Sequence, residues 1–161
     1  MPSWSSDGDA VYFTSNRSGR NEIWKQRLGD EATQVTRDGG LYALESPDGR
    51  FLYCTKTAQG PLFRRPSGGG AEEQVAEMVL DNGFAVLDDA VYYIIPPTEG
   101  TRAEPFRIER YDVQDGRSRV VKVLPKDQSP RTGLTVSPAA GAIVYGNLHS
   151  KWEIMVVENF K

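Results

Sequence analysis

The sequence has few of the residues that build reactive or metal-binding sites. It contains one cysteine, Cys54, and one histidine, His149. A single cysteine cannot form an internal disulfide, and one cysteine with one histidine cannot supply the ligands of a structural zinc site. We therefore expect no internal disulfide, no metal and no cofactor.

Long apolar runs and an excess of basic residues are also missing. No stretch approaches the roughly 18 apolar residues of a membrane helix, and residues 1–7 lack the basic and apolar segments of a secretory signal. The net charge is −3, which gives no overall attraction for a phosphate backbone. We expect neither a membrane nor a direct nucleic-acid partner. A cytoplasmic location is favoured, and a fragment of a longer protein would also be compatible with the periplasm.

What the sequence does contain is an internal repeat. The run Ser5–Thr14 matches the run Ser46–Thr55 in residue kind at every position, and weaker copies lie at 87–93 and 137–145. The aligned apolar position recurs in steps of 41, 39 and 52 residues, at Val11, Leu52, Val91 and Ile143. Repeats of this length are typical of β-propeller blades.

Each copy has the chemistry of an antiparallel sheet. Ser-x-Asp-Gly is a turn signal, and the apolar residues that follow it at successive positions are typical of a strand buried on both faces. No window shows helical periodicity. We predict an all-β propeller of about four blades, each with four antiparallel strands, the last blade being incomplete. The repeats fall near 1–38, 39–78, 79–126 and 127–161, with extra residues in the loop 96–105.

These motifs resemble the repeat of TolB-type, WD-repeat-like β-propellers. The first copy carries the whole pattern, as Ser5–Gly8, Thr14–Gly19, Glu22–Trp24 and Gln34–Thr36. The second copy keeps Ser46–Gly49, whereas Ala139 and Ala140 replace the Asp-Gly pair in the fourth. The resemblance implies the C-terminal part of a larger propeller.

The resemblance also implies a function. It favours a non-enzymatic module that binds a protein or a peptide, by analogy of fold. Two alternatives stay open. One is the sensory fragment of a bacterial winged-helix transcription regulator, and the other is the accessory propeller of a serine peptidase. Each alternative would need a further domain beyond this sequence.

Four blades taken from a larger ring would leave two sheet faces bare. If each face has on the order of 300 Å², exposing both forfeits about 15 kcal/mol at about 25 cal/mol/Å². The edge strand near residues 152–159 would also lack a neighbour. We therefore expect the blades either to close into a ring or to be completed by dimerisation around a two-fold axis, and we predict a homodimer.

Cationic loop residues form the candidate ligand-binding set. In a propeller, loops that emerge on one face would gather these side chains: Arg17, Arg20, Arg102, Arg131, His149 and Lys151. Guanidinium groups near a channel mouth would hold a carboxylate or phosphate by two-point contact. The simpler interpretation is that these are solvated loop charges beside acidic neighbours.

We predict no catalytic residue. No Gly-x-Ser-x-Gly motif occurs, so His149 is interpreted as an ordinary loop residue rather than a triad base. Cys54 shares the repeat position of Phe13 and is expected to be a small core residue. The pairs Asp88-Asp89 and Glu72-Glu73 are interpreted as solvated charges at turns.

Overall fold

The computed structural model describes residues 1–98, 104–148 and 152–158, and none of these lies in a helix. Their strands form three four-stranded sheets and one three-stranded sheet, and in each sheet the strands follow one another in chain order. The paired strands run antiparallel. The predicted all-β blades, with an incomplete last one, are confirmed for the described residues. Ring closure and dimerisation stay predictions.

The first two sheets come from the two strongest repeat copies. Sheet I contains β1 (Ser3–Trp4), β2 (Ala10–Ser15), β3 (Glu22–Arg27) and β4 (Thr33–Gln34). Sheet II contains β5 (Tyr42–Glu45), β6 (Phe51–Thr55), β7 (Gln59–Pro66) and β8 (Glu73–Leu80).

The other two sheets come from the weaker copies. Sheet III contains β9 (Phe84–Val86), β10 (Ala90–Ile95), β11 (Arg107–Asp112) and β12 (Ser118–Val123). Sheet IV contains β13 (Pro130–Ser137), β14 (Ala142–Leu148) and β15 (Trp152–Glu158). The chain divides into two compact units, Met1–Glu77 with Val86–Asp88 and Met78–Ala85 with Asp89–Lys161.

The Ser-x-Asp-Gly turns close through the bonds that their residue types predict. The Ser46 hydroxyl donates to Asp48 Oδ1 at 2.6 Å and accepts from the Phe51 N–H at 3.0 Å, while the Gly49 N–H donates to the Ser46 carbonyl at 2.8 Å. Gly49 has a φ of 71°, a conformation that glycine adopts without a steric penalty. The Ser46 hydroxyl and then the Arg50 N–H lower the pKa of Asp48 to about 2.

The turn of the fourth copy is closed one residue later. Here the Gly141 N–H donates to the Pro138 carbonyl at 3.1 Å, and Gly141 has a φ of 59°. The Ser137 hydroxyl accepts from the Ala140 N–H at 3.3 Å. Loss of the Asp-Gly pair therefore moves the glycine to the next position without losing the hairpin.

The core of the first unit lies between sheets I and II. Side chains alternate across a strand, so one face of β2 carries Tyr12 while the other carries Val11 and Phe13. The buried cluster between the sheets contains Tyr12, Ile23, Ala43, Leu52 and Cys54, with Phe63 and Val35 packed against it. Cys54 is fully buried, as predicted for a small core residue.

Polar contacts reinforce the same junction. Glu45 on β5 accepts from Tyr12 OH and from the Ser6 N–H, each at 2.6 Å, and Lys25 Nζ lies 3.8 Å away. The Ser3 hydroxyl donates to the Ala43 carbonyl at 2.8 Å. We call the Tyr12, Lys25 and Glu45 group the polar latch, because it joins sheet I to sheet II.

Sheets III and IV pack together within the second unit through β10 and β13. Ile108 and Ile143 are fully buried there, and the Gly133 N–H donates to Asn82 Oδ1 at 3.0 Å. Tyr93 OH donates to Ser118 Oγ at 2.7 Å, and burial is the main reason why the pKa of Tyr93 rises to about 12. The second unit therefore has an apolar core of its own.

Candidate functional site

Arg17 lies in the turn between β2 and β3 and is held against the surface of sheet I. Its guanidinium lies 4.8 Å from the centre of the Trp24 ring and 5.3 Å from that of Phe13. Its Nε donates to Ser15 Oγ at 3.0 Å. A guanidinium over aromatic rings gains a cation–π interaction. Arg17 is therefore stacked on its own sheet instead of projecting freely from the loop.

Arg20, in the same turn, forms an ion pair with a buried carboxylate. Its Nε donates to Glu22 Oε1 at 2.6 Å, and the Glu22 side chain is only 1% exposed. Glu22 Oε2 also accepts from Thr36 Oγ1 at 2.6 Å and from the Gly39 N–H at 3.1 Å. Burial raises the pKa of Glu22, but these donors outweigh burial and hold it below its ordinary value.

An ion-pair network extends from Arg20 into sheet II. Arg20 Nη1 lies 3.7 Å from Asp38, whose other oxygen accepts from Lys56 Nζ at 3.1 Å, and Lys56 Nζ lies 2.8 Å from Glu72. Hydrogen bonding to Lys56 is the main cause that lowers the pKa of Asp38, with Arg20 adding to it. With Glu22 included, the network has three carboxylates for two cations, so it does not attract an anion.

The predicted cationic set is only partly described. Arg17 and Arg20 lie together in the β2–β3 turn of the first unit, and Arg131 is an exposed residue of β13 in the second. Arg102, His149 and Lys151 lie outside the described residues. The anion site stays a prediction, and its two best-described members already have intramolecular partners.

The other candidates for chemistry behave as structural residues. Burial raises the pKa of the Cys54 thiol to about 12, the opposite of a reactive cysteine. Asp88 and Asp89 lie exposed in a bend, as predicted, and Asp89 also accepts from Arg110 Nη2 at 2.9 Å. The predicted turn was wrong for Glu73, which begins β8 with its side chain 60% exposed, and Glu72 and Glu73 pair with Lys56 and Arg64 at 2.8 Å.

Sheet I has an apolar face on the side opposite sheet II. We call it the aromatic face, and it consists of Trp4, Val11, Phe13 and Trp24, with the Arg17 guanidinium stacked on the last two rings. Trp4 is 61% exposed, and Val11, Phe13 and Trp24 are half-buried. The indole N–H of Trp24 is buried and has no acceptor among the described residues.

Sheet IV has a second apolar face. We call it the valine face, and it consists of Val144, Ile154 and Val156. Ile154 is 77% exposed and Val156 is 54% exposed, while Ile143 and Tyr145, on the opposite side of β14, are buried. A shallow hollow of about 340 Å³ lies over this sheet beside Ile154, where Gly133 and Gly146 have no side chains.

The cationic set contains no residue of these faces. The sequence contained a signal for them, because Trp4 stands seven residues before Val11, as Glu45 stands seven before Leu52. A tryptophan in place of a carboxylate at equivalent repeat positions marks a change in what the face contacts. The signal becomes interpretable only when strand pairing shows which residues share a face.

The described residues contain neither a candidate metal-binding group nor a candidate membrane-spanning helix. Within 1–98, 104–148 and 152–158, no group of three or more histidine, cysteine, aspartate or glutamate side chains is placed to hold a metal ion. The same stretches contain no helix with the length and apolarity needed to cross a bilayer.

Repeated four-strand meanders with Ser-x-Asp-Gly turns define this chain as a β-propeller repeat protein. No protein-family model matches it. It is 33% identical to the Tol-Pal system protein TolB of Anaeromyxobacter dehalogenans, over a stretch that covers 50% of this chain and 20% of that protein. The matched stretch thus spans about a fifth of this relative's length.

Two solved TolB structures have the same fold. TolB from Acinetobacter baumannii is 21% identical with a TM-score of 0.69, over 96% of this chain and 39% of that one. A putative TolB from Agrobacterium tumefaciens is 16% identical with a TM-score of 0.74, over 98% of this chain and 57% of that one. The TolB-type resemblance is therefore confirmed over part of the length of these proteins.

The fold is shared with hydrolases as well. A puromycin hydrolase structure is 16% identical with a TM-score of 0.68, over 98% of this chain and 26% of that one. Because a fold supports many functions, the choice among functions depends on the surfaces of this chain.

Proposed function

We propose that this chain is a non-enzymatic β-propeller module that binds a protein or peptide through the valine face. The observation that carries the proposal is the exposure of Ile154 and Val156, side by side on one face of sheet IV. Contiguous exposed apolar surface with a hollow in it marks association sites in soluble proteins.

The edge of sheet IV supports a polypeptide as the ligand. Among the described strands, β15 has β14 as its single neighbour in the sheet. The backbone N–H and C=O groups that β15 turns away from β14 would pair with an extended segment, while the valine face would hold apolar side chains of that segment. Similarity to TolB, a Tol-Pal system protein, supports a role with other proteins.

The electrostatics support binding over catalysis. A general acid needs a carboxyl pKa raised by its surroundings. Every carboxyl pKa shift among the described residues is downward, as at Glu22, Glu45 and Asp112. Such carboxyls stay ionised at neutral pH and serve as hydrogen-bond acceptors.

The accessory propeller of a peptidase is the second candidate. The fold similarity to puromycin hydrolase favours it, and in that arrangement this module would also bind instead of catalyse. The regulator-fragment alternative stays a prediction from the sequence.

A displayed library of random peptides, selected on the chain immobilised at a density too low for two copies to meet, tests the proposal. We expect enrichment of apolar extended peptides whose affinity, measured by fluorescence anisotropy, falls at least tenfold in an Ile154→Asp variant. Leu28→Asp, at an exposed turn residue of sheet I, is the matched control and should bind normally. Failure to enrich any peptide, or equal loss in the control, would reject the proposal, as would turnover of ester or peptide substrates.

A further inference from the structure

We infer that the partner of the valine face is the aromatic face of a second copy of this chain. The inference rests on the proposed function, because it names the partner of the same surface. Its basis is that the two faces occupy the repeat positions through which sheet I packs on sheet II.

The valine face of sheet IV corresponds to the face of sheet I that packs on sheet II. Tyr12 on β2 pairs with Lys25 on β3, and both reach Glu45 of the next sheet. The matching residues of sheet IV are Val144 and Val156, which pair in the same way on β14 and β15. The two positions that supply the polar latch on sheet I are thus apolar on sheet IV.

The third residue of the polar latch, Glu45, also has a less polar equivalent. Glu45 pairs with Leu52 on sheet II, and Trp4 pairs with the equivalent Val11 on sheet I. Trp4 is therefore the residue that would meet Val144 and Val156 if one copy docked on another as sheet I docks on sheet II. The polar trio is replaced by a largely apolar trio, in which no side chain is charged and the indole N–H of Trp4 is the one polar group.

Side-chain volume is complementary as well. Within the chain, Ile23 packs in the cluster that contains Cys54, and Phe63 lies against it. The equivalent group between copies is Ile154 of sheet IV with Phe13 and Trp24 of sheet I, since Phe13 pairs with Trp24 as Cys54 pairs with Phe63.

The hollow on sheet IV accommodates the larger side chain. Phe13 is bulkier than Cys54, whereas Gly146 on sheet IV replaces Thr14 of sheet I opposite an isoleucine. The hollow of about 340 Å³ at Gly146 lies where the Phe13 ring of the second copy would enter, and the Arg17 guanidinium stacked on that ring would have to shift when the two faces meet. A larger side chain on one face and a smaller one on the other keep the packing close.

The area is sufficient for a pair of chains. If the contact forms twice around a two-fold axis, four faces of on the order of 300 Å² bury about 1,200 Å², the lower end of stable interfaces. A dimer of moderate affinity, with a dissociation constant in the micromolar range, is expected.

Sedimentation of the whole chain with charge variants tests the inference. Wild type at tens of micromolar should have twice the chain mass. Trp4→Glu and Val156→Lys should each shift the dimer to monomer, raising the dissociation constant at least tenfold. Both positions are exposed, so each variant should have the far-ultraviolet spectrum of the wild type. Its melting temperature should equal that of the wild type diluted until it is monomeric. Val120→Lys, at an exposed valine of β12, is the control and should stay dimeric.

Mixing the two variants gives the specific signature. A mixed pair has one unaltered contact and one in which the lysine introduced on sheet IV faces the glutamate introduced on sheet I. That is the charge combination of Lys25 and Glu45, so the dimer mass should return. No return on mixing, or dissociation in the control, would overturn the inference.

Binding of displayed peptides separates this inference from the proposed function. A monomeric wild type that still binds those peptides through Ile154 would overturn the inference while the proposed function stands. A monomer that binds no peptide would overturn both.

Discussion

Sheets I and IV place the same pair of repeat positions in opposite surroundings. On sheet I the pair is Tyr12 and Lys25, whose polar ends reach Glu45. On sheet IV the pair is Val144 and Val156, on an exposed face. The backbone ladders are alike, so the difference lies in the side chains. The polar latch lies between two packed sheets, whereas the apolar pair lies on a face that is exposed among the described residues.

The difference has an electrostatic reason. Burial raises the pKa of Glu45, but hydrogen bonds from Tyr12 and from the Ser6 N–H outweigh burial and hold it below its ordinary value. A carboxylate is stabilised in this way only when its donors are already in place. An apolar face has no such requirement, which suits the association that we propose for sheet IV.

The largest expected effect is on the free energy of unfolding, when one side chain is truncated between sheets I and II and another on the valine face. Leu52 is fully buried between sheets I and II, so Leu52→Ala should lower the free energy of unfolding by about 3 kcal/mol. Val156→Ala, made in the Trp4→Glu background so that self-association does not contribute, should lower it by less than about 0.5 kcal/mol. Urea denaturation measures both, and equal losses would abolish the contrast between the two faces.

The next effect concerns the polar latch. Glu45→Gln keeps the shape of the side chain but replaces charge-assisted hydrogen bonds by neutral ones, which should cost about 1.5 kcal/mol at pH 7. Glu158→Gln, at an exposed residue of β15, is the matched control and should leave the unfolding midpoint unchanged. A control as destabilised as the latch variant would show that Glu45 has no special role.

Acid should remove the stabilisation that the Glu45 carboxylate contributes to the folded state. The folded-state pKa of Glu45 lies below its ordinary value of about 4.3, so its stabilisation is present above that pH and is lost as the pH falls through the folded-state pKa. The difference between wild type and Glu45→Gln should therefore shrink as the pH is lowered from about 5 toward about 3. Chemical denaturation at several pH values measures this, and a difference that grows in acid would contradict the assignment.

The smallest effect compares the two kinds of turn. Ser46→Ala removes a buried hydroxyl that bonds Asp48 and the Phe51 N–H, and should cost about 1 kcal/mol. Ser137→Ala, in the fourth copy, removes a longer bond at an exposed turn and should cost less than about 0.5 kcal/mol. Thermal melting of the two variants ranks them, and the reverse order would mean that the fourth turn is the more dependent on its serine.

Much of the fold was predictable from local chemistry. Ser-x-Asp-Gly and the glycine-containing turns place strand ends within a few residues, because the required bonds form inside each turn. The same reasoning identified Cys54 as a core residue from its repeat position. It did not place Arg17, because its contact with Trp24 depends on how β2 and β3 pair, or Arg20, because the burial of Glu22 depends on Thr36 and Gly39.

The repeat, the strand order within each sheet and the all-β class were determined by the sequence alone, since they follow from short-range turn chemistry and apolar spacing. Only the tertiary structure decided which apolar residues are covered. From the sequence, Trp4 and Val156 are not distinguishable from other strand residues. Strand register is needed to assign each of them to a face. The physical reason is that burial depends on the neighbouring sheet, which a strand's own residues do not specify.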